Sequence, residues 1–165
     1  MQEVYEMLKK AGTYYLATCE DGQPRVRPFG TVNLYKGKLY IQTGKSKAVS
    51  RQLHANPKLE ICAMVDGKWL RVEASAVEDD DRAARVSMLE AYPELQSRYS
   101  PDDGNTEVWY LRNGTATLYS FTEPPKVARF GAGPGNAAAL LGPQPALFLL
   151  HPAWPVLAEG IKQKA

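Results

Sequence analysis

Arg25 and Arg27 stand two residues apart in the run RVRPFG, a spacing that puts both guanidinium groups on one face of an extended strand. Further along, QTGKSKAVSRQL sets Thr43, Lys45, Ser46 and Lys47 directly before a stretch of helical periodicity, with Ser50 inside its first turn. A helix start presents unpaired N–H groups and a positive dipole end, so hydroxyls and ammonium groups gathered there complete a seat for a phosphate dianion. Taken alone, GKSK is an ordinary solvated turn. If the short KGK turn pairs the RVRPFG strand with LYIQT, the two basic segments meet at one end of the sheet. Together they favour an anion site, without saying which anion.

No nucleophile and base accompany that site. Ser46 and Ser50 lack the G-x-S-x-G setting of an activated serine, and there is no Gly-rich phosphate loop of the Walker type. His54 reads as a helix-surface residue, and Glu73 beside Arg71 as a charge pair. Cys19, Cys62, His54 and His151 show no metal-ligand spacing, so no metal is expected. Each cysteine lies in an apolar, strand-like run (YYLATC, LEICAMV) and reads as a small buried hydrophobe in a reducing cytoplasm. Any chemistry then falls to an organic cofactor.

The elements that must position these residues alternate between two periods. Val4, Met7, Leu8 and Ala11 share one face of a short helix that Gly12 stops. Strand patterns follow at Thr13–Cys19, Arg25–Tyr35 and Leu39–Thr43, with Pro28 and Gly30 marking a bend or edge in the second. AVSRQLHA is a helix ended by Asn56-Pro57, and Asp66-Gly67 joins the strands KLEICAMV and KWLRVEASAVE. A helix from about Asp81 to Tyr92 follows, its acidic start suited to the dipole, and EVWYLRNGTATLYSF reads as a hairpin turning at Asn113-Gly114. Six or seven hairpin-connected strands with short helices fit a closed or partly closed antiparallel barrel.

Composition narrows the function. Aromatic content of 10% and a net charge of +2 exclude a disordered chain and argue against nucleic-acid binding by bulk electrostatics. The N-terminus has no secretory pattern and no apolar run reaches the length of a membrane span, so a soluble, cytoplasmic protein without a membrane partner is expected. Residues 131–165 hold five of the 12 prolines and five of the 13 glycines, and read as an apolar extension of unassigned role to a domain over 1–130.

The ordered set TYYLATC, QPRVRPFG, LYIQTGKSKAVSRQLHANPKLEIC, WLRVEASAVEDD, TEVWYL and ATLYSF resembles the pyridoxamine 5′-phosphate oxidase-like family of FMN-binding split-barrel proteins, over about residues 1–130. The resemblance implies a mainly β fold with short helices, a six-stranded antiparallel split barrel. It also implies a homodimer holding FMN between subunits. By that resemblance Arg25, Arg27 and Pro28 lie along the flavin, with an arginine towards its phosphate. Thr43, Lys45, Ser46, Lys47 and Ser50 contact phosphate and ribityl chain, and Trp69 and Arg71 line the flavin edge from the neighbouring subunit.

Two departures bear on the reaction. Gly30 stands where true pyridoxamine phosphate oxidases carry a lysine, and the substrate-gripping Arg-x-His element is missing. The shorter Nim-type proteins and flavin reductases are the better match. The expected activity is transfer of electrons from a reduced nicotinamide through FMN to a small acceptor, a nitroaromatic or quinone, with no covalent catalyst among the side chains. Alternatives are a flavin-binding or storage protein without turnover, vitamin B6 phosphate oxidation, a barrel that has exchanged FMN for haem or a deazaflavin, and a purely structural barrel dimer.

Overall fold

Three X-Gly dipeptides set the strand pattern. At Asp21-Gly22, Lys36-Gly37 and Asp66-Gly67 both residues take positive φ, the pair of conformations that closes a two-residue hairpin without splaying its strands. The computed structural model, which describes residues 1–132, accordingly pairs β1 (Tyr14–Glu20) with β2 (Gln23–Phe29), β3 (Asn33–Tyr35) with β4 (Lys38–Gly44), and β5 (Lys58–Val65) with β6 (Lys68–Asp79). β7 (Thr106–Tyr119) and β8 (Lys126–Phe130) complete one antiparallel sheet in the order β2-β1-β5-β6-β7-β4-β3, with β8 on β7. β2 and β3 are the two ends of that order, yet only residues 30–32 separate them along the chain. The sheet therefore curls until its ends approach, giving a barrel with one open seam, the split-barrel class.

Alternation fills the interior. Leu16, Ile41, Ile61, Val72 and Leu111 point inward and are buried, joined by Val4 and Leu8 of α1 (Gln2–Ala11) and by Val49 and Leu53 of α2 (Ala48–Ala55). α3 (Arg82–Glu90) sits apart, packing Ala84 and Met88 against Tyr40 and Val108. Its first turn is capped by Asp81, which accepts a hydrogen bond from the Ala83 amide at 2.9 Å.

Four expectations change. The stretch Arg25–Tyr35 breaks after Phe29 into two strands, as Pro28 and Gly30 foreshadowed, and β8 adds one more, so the described residues hold eight strands rather than six or seven. Asn113-Gly114 is no hairpin turn. Glu73 pairs with Thr115 and Ser75 with Arg112, so Asn113 and Gly114 together oppose Ala74 as a bulge within one continuous β7. Asn113 supplies the left-handed φ of 54°, and Gly114 is required because a Cβ there would lie 2.3 Å from the Phe130 ring. The third helix stops at Glu90, and a 3-10 turn at Pro93–Ser97 follows it. The cysteines are not core residues: Cys62 is exposed and Cys19 half-buried, because Leu59, Ile61, Ala63 and Val65 take the inward positions of β5. The proline-rich extension lies, from residue 133 on, outside the described residues.

Candidate functional site

At the barrel seam, Pro28, Phe29, Gly30 and Thr31 face Gln42 and Thr43 of β4 and Lys47 from the turn before α2, while Leu95 and Tyr99 close the third side. The groove they enclose measures about 160 Å³. The turn is built by its backbone: the Lys47 amide donates to Gly44 O at 2.9 Å and the Lys45 amide to Asn105 O at 2.7 Å. The Ser46 amide donates to Asn105 Oδ1 at 2.9 Å. α2 starts at Lys47 with extended backbone and no side-chain cap, so its first amides are offered to whatever acceptor comes to the helix end.

Three features of the groove wall together ask for an occupant with hydrogen-bonding groups, an anionic group and an apolar part. Gln42 Oε1 and Thr43 Oγ1 are buried and have no hydrogen-bond partner among the described residues, a state that costs roughly 1–3 kcal/mol per group unless a ligand or water relieves it. The Lys47 ammonium is exposed, lies 5.6 Å from the Tyr99 ring centre, and joins no salt bridge among the described residues. Pro28, Phe29, Leu95 and Tyr99 supply apolar surface beside these polar groups.

The two arginines go elsewhere than the groove wall. Arg27, opposite Leu16 in the β1–β2 ladder, donates to Leu16 O at 3.1 Å, Thr18 Oγ1 at 2.8 Å and Gln52 Oε1 of α2 at 2.6 Å. Burial, and then the charge of Arg25, pulls its pKa below the usual guanidinium value. Arg27 thus pins α2 to the sheet next to Pro28. Arg25 lies 3.4 Å from Glu20, which also pairs with Arg51 at 2.9 Å.

Of the other residues singled out from sequence, Thr43 and Lys47 line the groove, as does Pro28. Ser46 is exposed at the turn and Ser50 is buried in α2. The Lys45 ammonium turns to Glu78 at 3.9 Å. Trp69 and Arg71 lie on the outward face of the sheet: Trp69 stacks on Tyr119 with ring centres 5.3 Å apart, and Arg71 pairs across the hairpin with Glu60 rather than with Glu73. Sequence reasoning missed Phe29, Gly30, Thr31, Gln42, Leu95 and Tyr99 as groove residues. Phe29 to Thr31 and Gln42 abut the two basic motifs and were within reach; Leu95 and Tyr99 come from the Pro93-led turn and carry no motif.

The turn rests on a loop that one carboxylate organises. Asp103 accepts from the amides of Thr106 (2.6 Å), Asn105 (2.8 Å) and Ser100 (3.0 Å) and from Thr106 Oγ1 (2.7 Å). Burial works to raise its pKa, but these hydrogen bonds prevail and hold the carboxyl well below the usual carboxylate range. A depressed folded-state pKa means stabilisation that is present above the unfolded value of about 3.9 and lost as pH falls through the folded value. Asp103→Asn is therefore expected to lower the urea midpoint at neutral pH, and the gap to the parent protein should close in acid. A gap of constant size across that range would contradict the assignment.

A sequence profile of the pyridoxamine 5′-phosphate oxidase family matches residues 1–130. The chain belongs to this family. Among solved structures, a NimC/NimA family protein from Clostridium acetobutylicum is 42% identical, with a TM-score of 0.76 over 79% of this chain and 93% of that one. A pyridoxamine 5′-phosphate oxidase-related, FMN-binding protein from Nostoc punctiforme shares the fold at 17% identity and TM-score 0.61, covering 86% of this chain and 96% of that one. A haem-binding protein from Mycobacterium smegmatis does so at 18% identity and TM-score 0.59, covering 76% and 57%. No curated protein matches the sequence. The family assignment agrees with the split barrel, and the NimC/NimA likeness with the Nim-type resemblance read from the motifs. Among the described residues, no helix is long and apolar enough to cross a membrane.

Proposed function

We propose that the seam groove binds FMN and that the protein is an FMN-dependent oxidoreductase, passing electrons from a reduced nicotinamide to a small acceptor such as a nitroaromatic or quinone. One observation carries the reading: the end of β2 and the β4–α2 turn converge on a groove that sets the Lys47 ammonium beside Gln42 Oε1 and Thr43 Oγ1, the ammonium without a salt bridge and both oxygens without a hydrogen-bond partner among the described residues. Lys47 and the start of α2 would hold the phosphate, with Ser46 at the exposed rim. Gln42 and Thr43 would meet hydroxyl or amide groups, and Pro28, Phe29, Leu95 and Tyr99 the apolar part. Arg27 would act by fixing α2, and Arg25, Lys45 and Ser50 would shape the surroundings. Bound flavin would supply the redox chemistry, taking a hydride from the nicotinamide and delivering two electrons to the acceptor. The chain's own part is to hold the anion and shield one face.

A second copy of the chain completes the site in this reading. Small-molecule sites usually measure about 300–1,000 Å³, so a groove of about 160 Å³ would be one wall of a larger cleft. The outward face of the sheet would offer an apolar surface for a homodimer: Tyr15, Val26 and Met64 are exposed there, and the exposed Phe121 packs on Trp69. Trp69 and Arg71 of one copy would then border the flavin of the other. Two free thiols, Cys19 and Cys62, suit the reducing cytoplasm as the site of action.

Stopped-flow mixing of the FMN-loaded protein with NADH or NADPH tests turnover. Bleaching of the flavin band much faster than that of free FMN is expected with one of the two donors. Rates equal to those of free FMN with both would leave a flavin-binding protein in place of an enzyme.

A further inference from the structure

Two residues beyond Gln52, and so on roughly the opposite side of α2 from the Arg27 contact, His54 meets two carboxylates brought from the sheet. We propose that His54, Glu78 and Glu107 bind one divalent first-row cation of the zinc class. A ligand nitrogen of His54 and one carboxylate oxygen each from Glu78, near the end of β6, and Glu107, at the start of β7, all lie within 4.8 Å of one another. His54 Nε2 and Glu78 Oε2 are 3.7 Å apart. Ligand atoms held about 2.0–2.2 Å from a tetrahedral zinc stand roughly 3.3 Å from each other, so closing the set needs the separations to shrink by no more than about 1.5 Å. His54 and Glu78, with side chains 51% and 26% exposed, have room to make that shift.

Glu107 decides between this site and a surface ion pair. It is 2% exposed, and neither of its carboxylate oxygens has a hydrogen-bond partner among the described residues. A buried carboxylate is strongly disfavoured unless it is paired, protonated or bound to a metal. The ammonium of Lys45 lies by Glu78, 3.9 Å from Oε1, and forms no salt bridge with Glu107. The His54–Glu78 contact therefore explains two members of the cluster and leaves the buried third unexplained; a shared cation explains all three. The Trp109 ring packs edge-on to the imidazole at 4.9 Å and 64°, which restricts how the imidazole can tilt.

The donor set names the class of ion. One imidazole with two carboxylates and no thiolate suits Zn²⁺, Co²⁺ or Mn²⁺, whereas Mg²⁺ and Ca²⁺ favour all-oxygen shells of six or more. Three protein ligands leave a position for water. The three residues lie far apart along the chain, so no ligand spacing announces them in the sequence. Such a cation would tie the last turn of α2 to β6 and β7; Glu107 is the register partner of Thr43 in the β4–β7 ladder, so the cation would neighbour the groove wall, and its binding does not require FMN.

The test uses the full chain, stripped with a chelator and titrated with Zn²⁺ alone by calorimetry, then with Co²⁺ by visible absorption. One Zn²⁺ per chain is expected, with Co²⁺ d–d bands and no thiolate charge-transfer band, and unchanged binding in Cys62→Ser. Loss of a partner that merely orients a metal ligand costs about 10–100-fold in affinity, so His54→Ala and Glu107→Gln should each weaken binding at least about tenfold. His54 is half-exposed, and His54→Ala is expected to keep the parent circular dichroism, which makes that variant decisive even if Glu107→Gln folds poorly. No uptake in excess Zn²⁺, undiminished affinity in His54→Ala, or loss of the site in Cys62→Ser would overturn the proposal.

Discussion

Replacing Lys47 with alanine is expected to raise the dissociation constant for FMN roughly ten- to hundredfold, read by quenching of flavin fluorescence on titration into the stripped protein. The size follows from the worth of a hydrogen bond to a charged group, about 1.5–3 kcal/mol, at about 1.4 kcal/mol per tenfold. Lys47 stands out from the neighbouring cations because they are engaged. Arg25 sits 3.4 Å from Glu20, Lys45 3.9 Å from Glu78, and Arg27 gives its donors to Leu16, Thr18 and Gln52. Lys47 lines the groove with no salt bridge among the described residues. Lys45→Ala is the matched control and should shift affinity only a few-fold. Equal losses in the two variants would mean that general positive charge, not a seat at the groove, draws the anion. No loss in Lys47→Ala would remove the phosphate from this end of α2.

Leu16→Ala is expected to cost about 2–5 kcal/mol of folding stability, seen as a lower urea midpoint with an unchanged slope. Leu16 is fully buried and lies where β1 is paired on both sides, with Arg27 of β2 and Ile61 of β5 as its register partners. Its side chain faces the interior with Ile61, Val72 and Leu111, and a close-packed interior refills a leucine-sized void only in part. The same residue's carbonyl accepts from Arg27, so the strand that loses its anchor is the one that steers β2 into the seam. A cost below about 1 kcal/mol would show a loose interior, at odds with the packing that positions the groove.

Much of this architecture could be read from residue types. Asp21-Gly22, Lys36-Gly37 and Asp66-Gly67 announced their hairpins because left-handed pairs have few other uses between alternating strands. Asn113-Gly114 carried the same signal and misled, since a single left-handed residue also makes a bulge, and only the partner strand decides. KVARF of β8 is short and pairs only with β7, so its alternation was too brief to register. Cys62 misled for a related reason: an apolar run looks buried on both faces, whereas β5 turns Cys62 and Met64 outward.

For the site, the basic motif before α2 located Thr43 and Lys47, because helix starts and charges are local properties. Which cation is left unengaged is not local. Glu20 takes Arg25, Glu78 takes Lys45 and Gln52 takes Arg27, pairings between residues that only the folded barrel brings together. The Glu107 cluster was hidden in the same way.

The claim on which the functional reading rests is that the seam groove is a flavin seat. Its most direct test is the absorption spectrum of the chain as purified and after addition of FMN, with the unbound ligand filtered away. The account requires a yellow protein retaining FMN with quenched fluorescence, near one per chain. A colourless protein that lets all added FMN pass the filter, or one showing a haem Soret band in its place, would contradict it.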